Sequence, residues 1–143
     1  MSRRLDGGDQ GAEAPAPPAP ERARAEAVNL AEALASFDEA FAPRIVGHYN
    51  ESKVMVAKAR GEFVWHSHPD TDDFFLVLDG RLTIQLRDRD DVELGPGEMF
   101  VVPRGVEHCP RAEPEAHILL IEPAGTPNTG DSTEREAAPE REL

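Results

Sequence analysis

Residues 61–80 read GEFVWHSHPDTDDFFLVLDG, and the fold turns on this stretch. One residue separates His66 from His68. Side chains alternate across a β-strand, so the two imidazoles share a face and Ser67 takes the other. Asp73 follows five residues after His68 and heads the apolar run Phe74–Leu78. Imidazoles and a carboxylate arriving on one face from adjacent strands suit a first-row transition metal. Asp79-Gly80 has the signature of a two-residue primed turn and predicts a hairpin onto Leu82–Leu86. In that register Val77 faces Leu82, Phe75 faces Ile84 and Asp73 faces Leu86. With Asp73 turned toward the histidines, Phe75, Val77, Leu82, Ile84 and Leu86 line the interior, joined by Val64. The interior is therefore expected to be apolar apart from the ligands. Phe74, Leu76 and Leu78 fall on the opposite face and need cover from a sheet, a helix or another subunit.

The period of two extends in both directions. Val54–Ala59, Glu62–His66, Phe74–Leu78, Leu82–Leu86, Met99–Pro103 and Ile118–Ile121 read as strands, broken at Gly95-Pro96-Gly97 and Pro103-Arg104-Gly105. Many short strands at close spacing indicate an all-β sandwich or barrel. His108 follows the second break and could supply a third imidazole. Upstream, Asn29 is a suitable N-cap with Glu32 three residues later. Leu30, Leu34, Phe37 and Phe41 recur at helical spacing until Pro43, as an amphipathic helix or pair of turns against the sheet. Residues 1–27, with Pro15, Pro17, Pro18 and Pro20, and residues 123–143, poor in large apolar side chains, are expected to be disordered tails. One domain, residues 28–122, remains between them.

Two spaced motifs carry a resemblance: Gly61-x4-His66-x-His68-x4-Asp73-x6-Gly80, then Gly97-x5-Pro103-x-Gly105-x2-His108. In this the chain resembles the cupin superfamily, specifically its small single-domain bacterial members, over about Asn29 to Gly130. Only sixteen residues lie between Gly80 and Gly97, as in microbial members. The resemblance implies a double-stranded β-helix, or jelly-roll barrel, with a short N-terminal helical segment and a divalent transition metal (Fe, Mn, Ni or Zn) in its mouth. The implied ligands are His66, His68, Asp73 and His108. Two positions depart from the family pattern. Asp73 stands where glutamate is usual and is shorter by one methylene, about 1.5 Å of reach. Direct ligation, ligation through water and a three-histidine site all stay open. Ala112 stands where the second motif usually ends in asparagine.

Composition removes other classes. The 143 residues carry 28 Asp+Glu against 15 Lys+Arg, a net charge of −13, and every segment is acidic. No basic patch exists for counterion release from nucleic acid or for an anionic membrane surface. The single cysteine, Cys109, cannot form an internal disulfide and is expected to pack rather than react. No apolar run reaches the length of a membrane span, and a cytoplasmic location is the default. His48 and His117 are expected at the surface, and Asp70 and Asp72 in a solvated turn.

Three functional classes remain. The first is a metal-dependent enzyme acting on a small organic molecule, either an iron-type dioxygenase or a redox-neutral isomerase, lyase or cyclase. The apolar wall favours oxygen chemistry or a hydrophobic substrate. The second is a non-catalytic module that binds or senses a small ligand, and the third is a storage-type or structural cupin. The partners expected are a small-molecule substrate and, because cupins commonly dimerise, a second copy of the chain.

Overall fold

The computed structural model of the protein describes residues 26–143. The Pro/Ala-rich stretch expected to be disordered lies almost wholly outside them. One short helix, α1 (Leu30–Ala35), precedes seven strands: β1 (Arg44–Tyr49), β2 (Ser52–Glu62), β3 (Asp73–Asp79), β4 (Leu82–Leu86), β5 (Val92–Leu94), β6 (Met99–Val102) and β7 (His108–Pro123). All pairings between the strands are antiparallel. One run of neighbours is β1-β2-β7-β3-β6; β4 and β5 pair with each other, and β4 joins the first part of β7. β7 thus serves both walls of the barrel. Its start (His108–Arg111) pairs with β4, and its end (His117–Ile121) pairs with β3.

The alternating pattern explains the core. Phe75, Val77, Leu82, Ile84 and Leu86 are all buried in one apolar cluster, as their phase requires. At a site with no exposure, Ile84→Ala is expected to cost about 2–5 kcal/mol. Val64 does not join that cluster and is only half-buried. Nor is the interior wholly apolar: Lys53 and Glu122 point inward as well, 3% and 5% exposed.

Several expected elements change partner or extent. β3 does not form a hairpin with β4; it pairs with β6 and β7, so the expected facing of Asp73 with Leu86 is lost. Gly80 still turns the chain at φ +81°, and a Cβ there would lie 2.3 Å from the Glu115 carbonyl oxygen, so close packing also demands glycine. The expected strand Glu62–His66 is absent. β2 ends at Glu62, and His66 keeps only an isolated bridge to His108. Ile118–Ile121 is the end of a sixteen-residue strand.

Asn29 caps α1, its Oδ1 accepting the Glu32 N–H at 2.9 Å. Leu34 packs against Val56 with Phe37 and Leu78 nearby, so the helix covers part of the outer sheet. Phe41 leaves the helical pattern. It adopts φ +55° and stacks its ring on Phe63 instead.

Residues 124–143, expected to form a solvated tail, pack as a strap on the barrel. Thr129 is buried, Asp131 binds Ser67, Glu140 pairs with Lys53, and Leu143 N–H donates to the Ile45 carbonyl. The strap holds the chain by polar and backbone groups, which explains why a search for apolar side chains passes over it. No helix among the described residues is long and apolar enough to cross a membrane.

Candidate metal centre

His66 and His68 sit in the irregular segment between β2 and β3, held by backbone bonds rather than by a strand. His66 exchanges both backbone hydrogen bonds with His108, at 2.9 and 2.8 Å, and the His68 carbonyl accepts from Gly105 N–H at 3.0 Å. The alternation expected of a strand survives locally. Ser67 faces the opposite way, its N–H and Oγ both donating to the Asp131 carboxylate at 2.8 and 3.0 Å.

One donor atom from each of His66, His68, Asp73 and His108 lies within 4.8 Å of the other three, and all four residues are buried. Asp73 Oδ2 is 3.3 Å from both His68 Nε2 and His108 Nε2. The short aspartate therefore reaches the cluster. His66 Nδ1 lies 2.9 Å from the Val64 carbonyl, and His108 Nδ1 lies 2.9 Å from the Val106 carbonyl. A carbonyl can only accept, so each Nδ1 carries the proton and each Nε2 offers its lone pair inward, the tautomer a metal ligand needs. His68 Nε2 and Asp73 Oδ1 have no hydrogen-bond partner inside the protein. Three imidazoles and a carboxylate, oriented from behind and partly unsatisfied in front, fit a divalent first-row transition ion.

The electrostatics agree with that donor set. Burial, followed by the neighbouring His108, lowers the His66 imidazole to about 4, which keeps it neutral. Burial alone would raise the Asp73 carboxyl, but the His108 and His68 imidazoles 3.3 Å from it outweigh burial and hold the group well below the usual range. Glu122 goes the other way. Burial, then the neighbouring Asp73 carboxylate, push it up to about 9, so it is a neutral acid near pH 7.

A small cavity of about 40 Å³ opens beside the cluster. His66, Asp73, Glu122 and Asn128 contribute its polar wall, while Phe41, Phe63, Phe75, Ile118 and Leu120 contribute apolar wall. Phe41 and Phe63 stack at 4.7 Å between centroids, and Phe63 meets His66 edge-on at 5.4 Å. Asn128, on the strap, donates to the Phe41 carbonyl at 3.1 Å, and the Arg135 guanidinium lies over both phenylalanine rings. The strap thus closes over the cavity.

Other residues fall where their surroundings dictate. Cys109 is buried, and burial raises its thiol to about 11, so it packs as a neutral group. His117 pairs with Glu115, and His48 lies 3.0 Å from Glu142, both near the surface. Asp72 accepts the Arg104 N–H in its turn. Glu122 was not foreseen. Its one signal is phase, since it follows Ile118 and Leu120 at intervals of two and so points inward with them.

The profile of the Cupin domain family matches residues 53–122. The uncharacterized protein YdbB of Bacillus subtilis is 32% identical over 77 residues, covering 54% of this chain and 68% of that protein. A cupin-2 domain protein from Shewanella frigidimarina shares 42% identity and a TM-score of 0.65, covering 67% of this chain and 93% of its own. A protein from Neisseria meningitidis shares 30% identity and a TM-score of 0.63, covering 69% of this chain and all of its own. With two motifs in order, an antiparallel β-barrel around a histidine-rich cluster, and relatives matched over most of their length, the chain belongs to the cupin family.

Proposed function

We propose that the protein is a metal-dependent enzyme acting on a small, largely apolar organic molecule, with oxygen-activating chemistry of the iron dioxygenase type. The observation that carries this reading is a buried three-histidine, one-carboxylate cluster opening directly onto an aromatic cavity. His66, His68, Asp73 and His108 would hold the ion. When bound, a divalent iron would supply open coordination positions for a substrate donor atom and dioxygen. The protein's own part is to exclude water with Phe41, Phe63 and Phe75 and to orient the imidazoles through their Nδ1–H bonds. Among the described residues lining the cavity, the only titratable group outside the cluster is Glu122, and it is in contact with Asp73. A redox-neutral isomerase or lyase would need a free acid or base there, so the oxygen reading is favoured. The cavity has room for only a few waters. A substrate larger than that requires the strap to move.

Elemental analysis of protein purified without added metal, followed by oxygen-uptake measurements over small phenols, diols and diketones, tests the reading. Iron with substrate-dependent oxygen uptake supports it. Zinc, nickel or manganese with no uptake across the panel overturns the oxygen chemistry, and absence of any bound metal overturns the enzyme reading.

We further propose that the functional unit is a homodimer. Across β6, β3 and β7, Val101–Phe74–Ile121 and Met99–Leu76–Leu119 form two cross-strand rows on the outer face. Met99 and Val101 are 47% and 38% exposed. A twofold contact with a second copy would cover these rows. A cytoplasmic location accords with the single, reduced cysteine.

A further inference from the structure

We propose that the substrate is a small organic carboxylate, and that its carboxylate takes the place of the Glu140 side chain on the Lys53 ammonium and the Gly125 N–H. This rests on the reading of the histidine cluster as the reacting centre and names the substrate class for it.

The argument begins with Lys53, a cation buried inside the barrel of an acidic chain. Glu122 is its ladder partner on β7, yet Lys53 turns its Nζ to the strap. There it donates to the Thr126 carbonyl at 3.0 Å and to Glu140 Oε2. The same Glu140 oxygen accepts the Gly125 N–H at 2.7 Å. An ammonium and a backbone N–H converging on one carboxylate oxygen form a seat for an organic anion. In this structure the strap's own glutamate fills it.

The seat leads toward the cluster. A second small cavity, of about 20 Å³, lies between Lys53, Glu140 and the apolar side chains of Ile45 and Met55. It shares Pro43, Leu120, Glu122 and Asn128 with the aromatic cavity that reaches His66 and Asp73. β2 and β3 flank β7, so the strands carrying Lys53 and Asp73 lie about 10 Å apart. A molecule with its carboxylate on Lys53 thus runs its apolar body past Leu120 and brings its far end to the histidines. The two partners of the present ion pair differ in freedom. The Glu140 side chain is 43% exposed and can turn into water, whereas Lys53, at 4%, cannot follow it. A buried ammonium left without a partner is strongly disfavoured. An incoming carboxylate restores the pair as Glu140 leaves, so substrate entry and release of the strap are one exchange. An uncharged molecule of the same shape cannot make that exchange.

The test is calorimetric titration of the full-length protein, stripped of metal by dialysis, with phenylacetate and with its uncharged analogue phenylacetamide. Glu140→Ala vacates the seat and should bind phenylacetate about tenfold or more tightly than wild type, the scale of one charge-assisted hydrogen bond. Phenylacetamide should change by less than about threefold. Adding Lys53→Met to Glu140→Ala should cancel the gain and bring phenylacetate down to the affinity of the amide. A phenylacetate gain below about fivefold in folded Glu140→Ala overturns the proposal, as does the absence of binding in every variant. So does an equal gain for both ligands, which would mean that the strap only blocks the way, or a gain that survives Lys53→Met. Should Glu140→Ala not fold by circular dichroism, Glu140→Gln replaces it under the same criteria. Should the Lys53 variant not fold, the contrast between acid and amide decides. Because binding to metal-free protein is the readout, purified protein that holds no metal would overturn the metal reading and leave this result standing, so the two failures are distinguishable.

Discussion

His66, His68 and His108 each offer one Nε2 to a shared point, so losing any one removes a donor from a set of four. His66→Ala, His68→Ala and His108→Ala should each reduce bound metal, measured by elemental analysis after dialysis, from near one equivalent to a small fraction. Wild-type content in all three would remove these residues from metal binding. Asp73→Ala should approach the histidine variants. Asp73→Glu is expected to bind no better than wild type, because the aspartate already reaches the cluster and Glu122 sits behind it. The metal-free protein also carries two opposing pH dependences. His66 is held at about 4 in the fold against 6.5 in the open chain, so the unfolded chain binds more protons between those values and stability falls as pH drops through them. Glu122 is held at about 9 against 4.5, so the folded state keeps a proton that the unfolded chain has released. Stability from this group therefore falls as pH rises from 4.5 toward 9. Glu122→Gln abolishes the second slope. With a chelator present, its stability relative to wild type should rise between pH 5 and 9, by up to about 1.4 kcal/mol per pH unit. A difference flat with pH would show that Glu122 ionises as it does in water. At this scale the four ligand candidates were legible because the two spaced motifs resemble those of the cupins. Glu122 was not, because its partner is found only once the β3–β7 register is known.

Among the elements, the turn at Asp79-Gly80 was legible and the pairing it implied was not. The faces nonetheless came out right. Alternation assigns Phe75, Val77, Leu82, Ile84 and Leu86 to the interior whichever strand lies alongside, since parity does not depend on the partner. β7 shows the converse: Pro110, Glu113 and Pro114 interrupt its apolar pattern, yet the strand runs from His108 to Pro123. The strap was misjudged for a related reason, because hydrogen-bonded burial leaves no apolar period to detect. Ending the chain after Pro123 should lower the thermal midpoint by about 5 °C or more, given losses of a few kcal/mol in a domain of this size. An unchanged midpoint would mean that the strap contributes nothing. Gly130 offers a finer probe. A Cβ there would sit 2.3 Å from the Ser67 carbonyl oxygen and 3.0 Å from His66 Cδ2, at φ +54°. Gly130→Ala should therefore displace the strap from the segment carrying His66 and His68, lower the midpoint by about 2–5 °C and weaken Co²⁺ binding severalfold. Ordinary stability and affinity in this variant would show the strap to be loosely held.

For the molecule as a whole, the outer rows on β6, β3 and β7 set the last expectation. Val101→Glu combined with Met99→Lys should convert a dimer to a monomer in sedimentation velocity while leaving the barrel's circular dichroism intact, since both side chains are exposed. Wild type sedimenting as a monomer would remove the dimer. The barrel, its helix and the site's location were legible in outline, through two motifs and a period of two. The order in which strands meet was not, because long-range pairing depends on the whole set of competing partners. That order has a consequence for biosynthesis. β7 is the last strand to leave the ribosome, yet it joins the others: β2, β3 and β4 each pair with it and with only one further strand. Before it emerges, the nascent chain can form no more than three separate pairs, β1–β2, β3–β6 and β4–β5, each too small to stand alone in water. Closure of the barrel must therefore wait until translation has passed Pro123. During that interval the apolar faces of all three pairs lie open, which is when the chain is most exposed to aggregation and most in need of a chaperone.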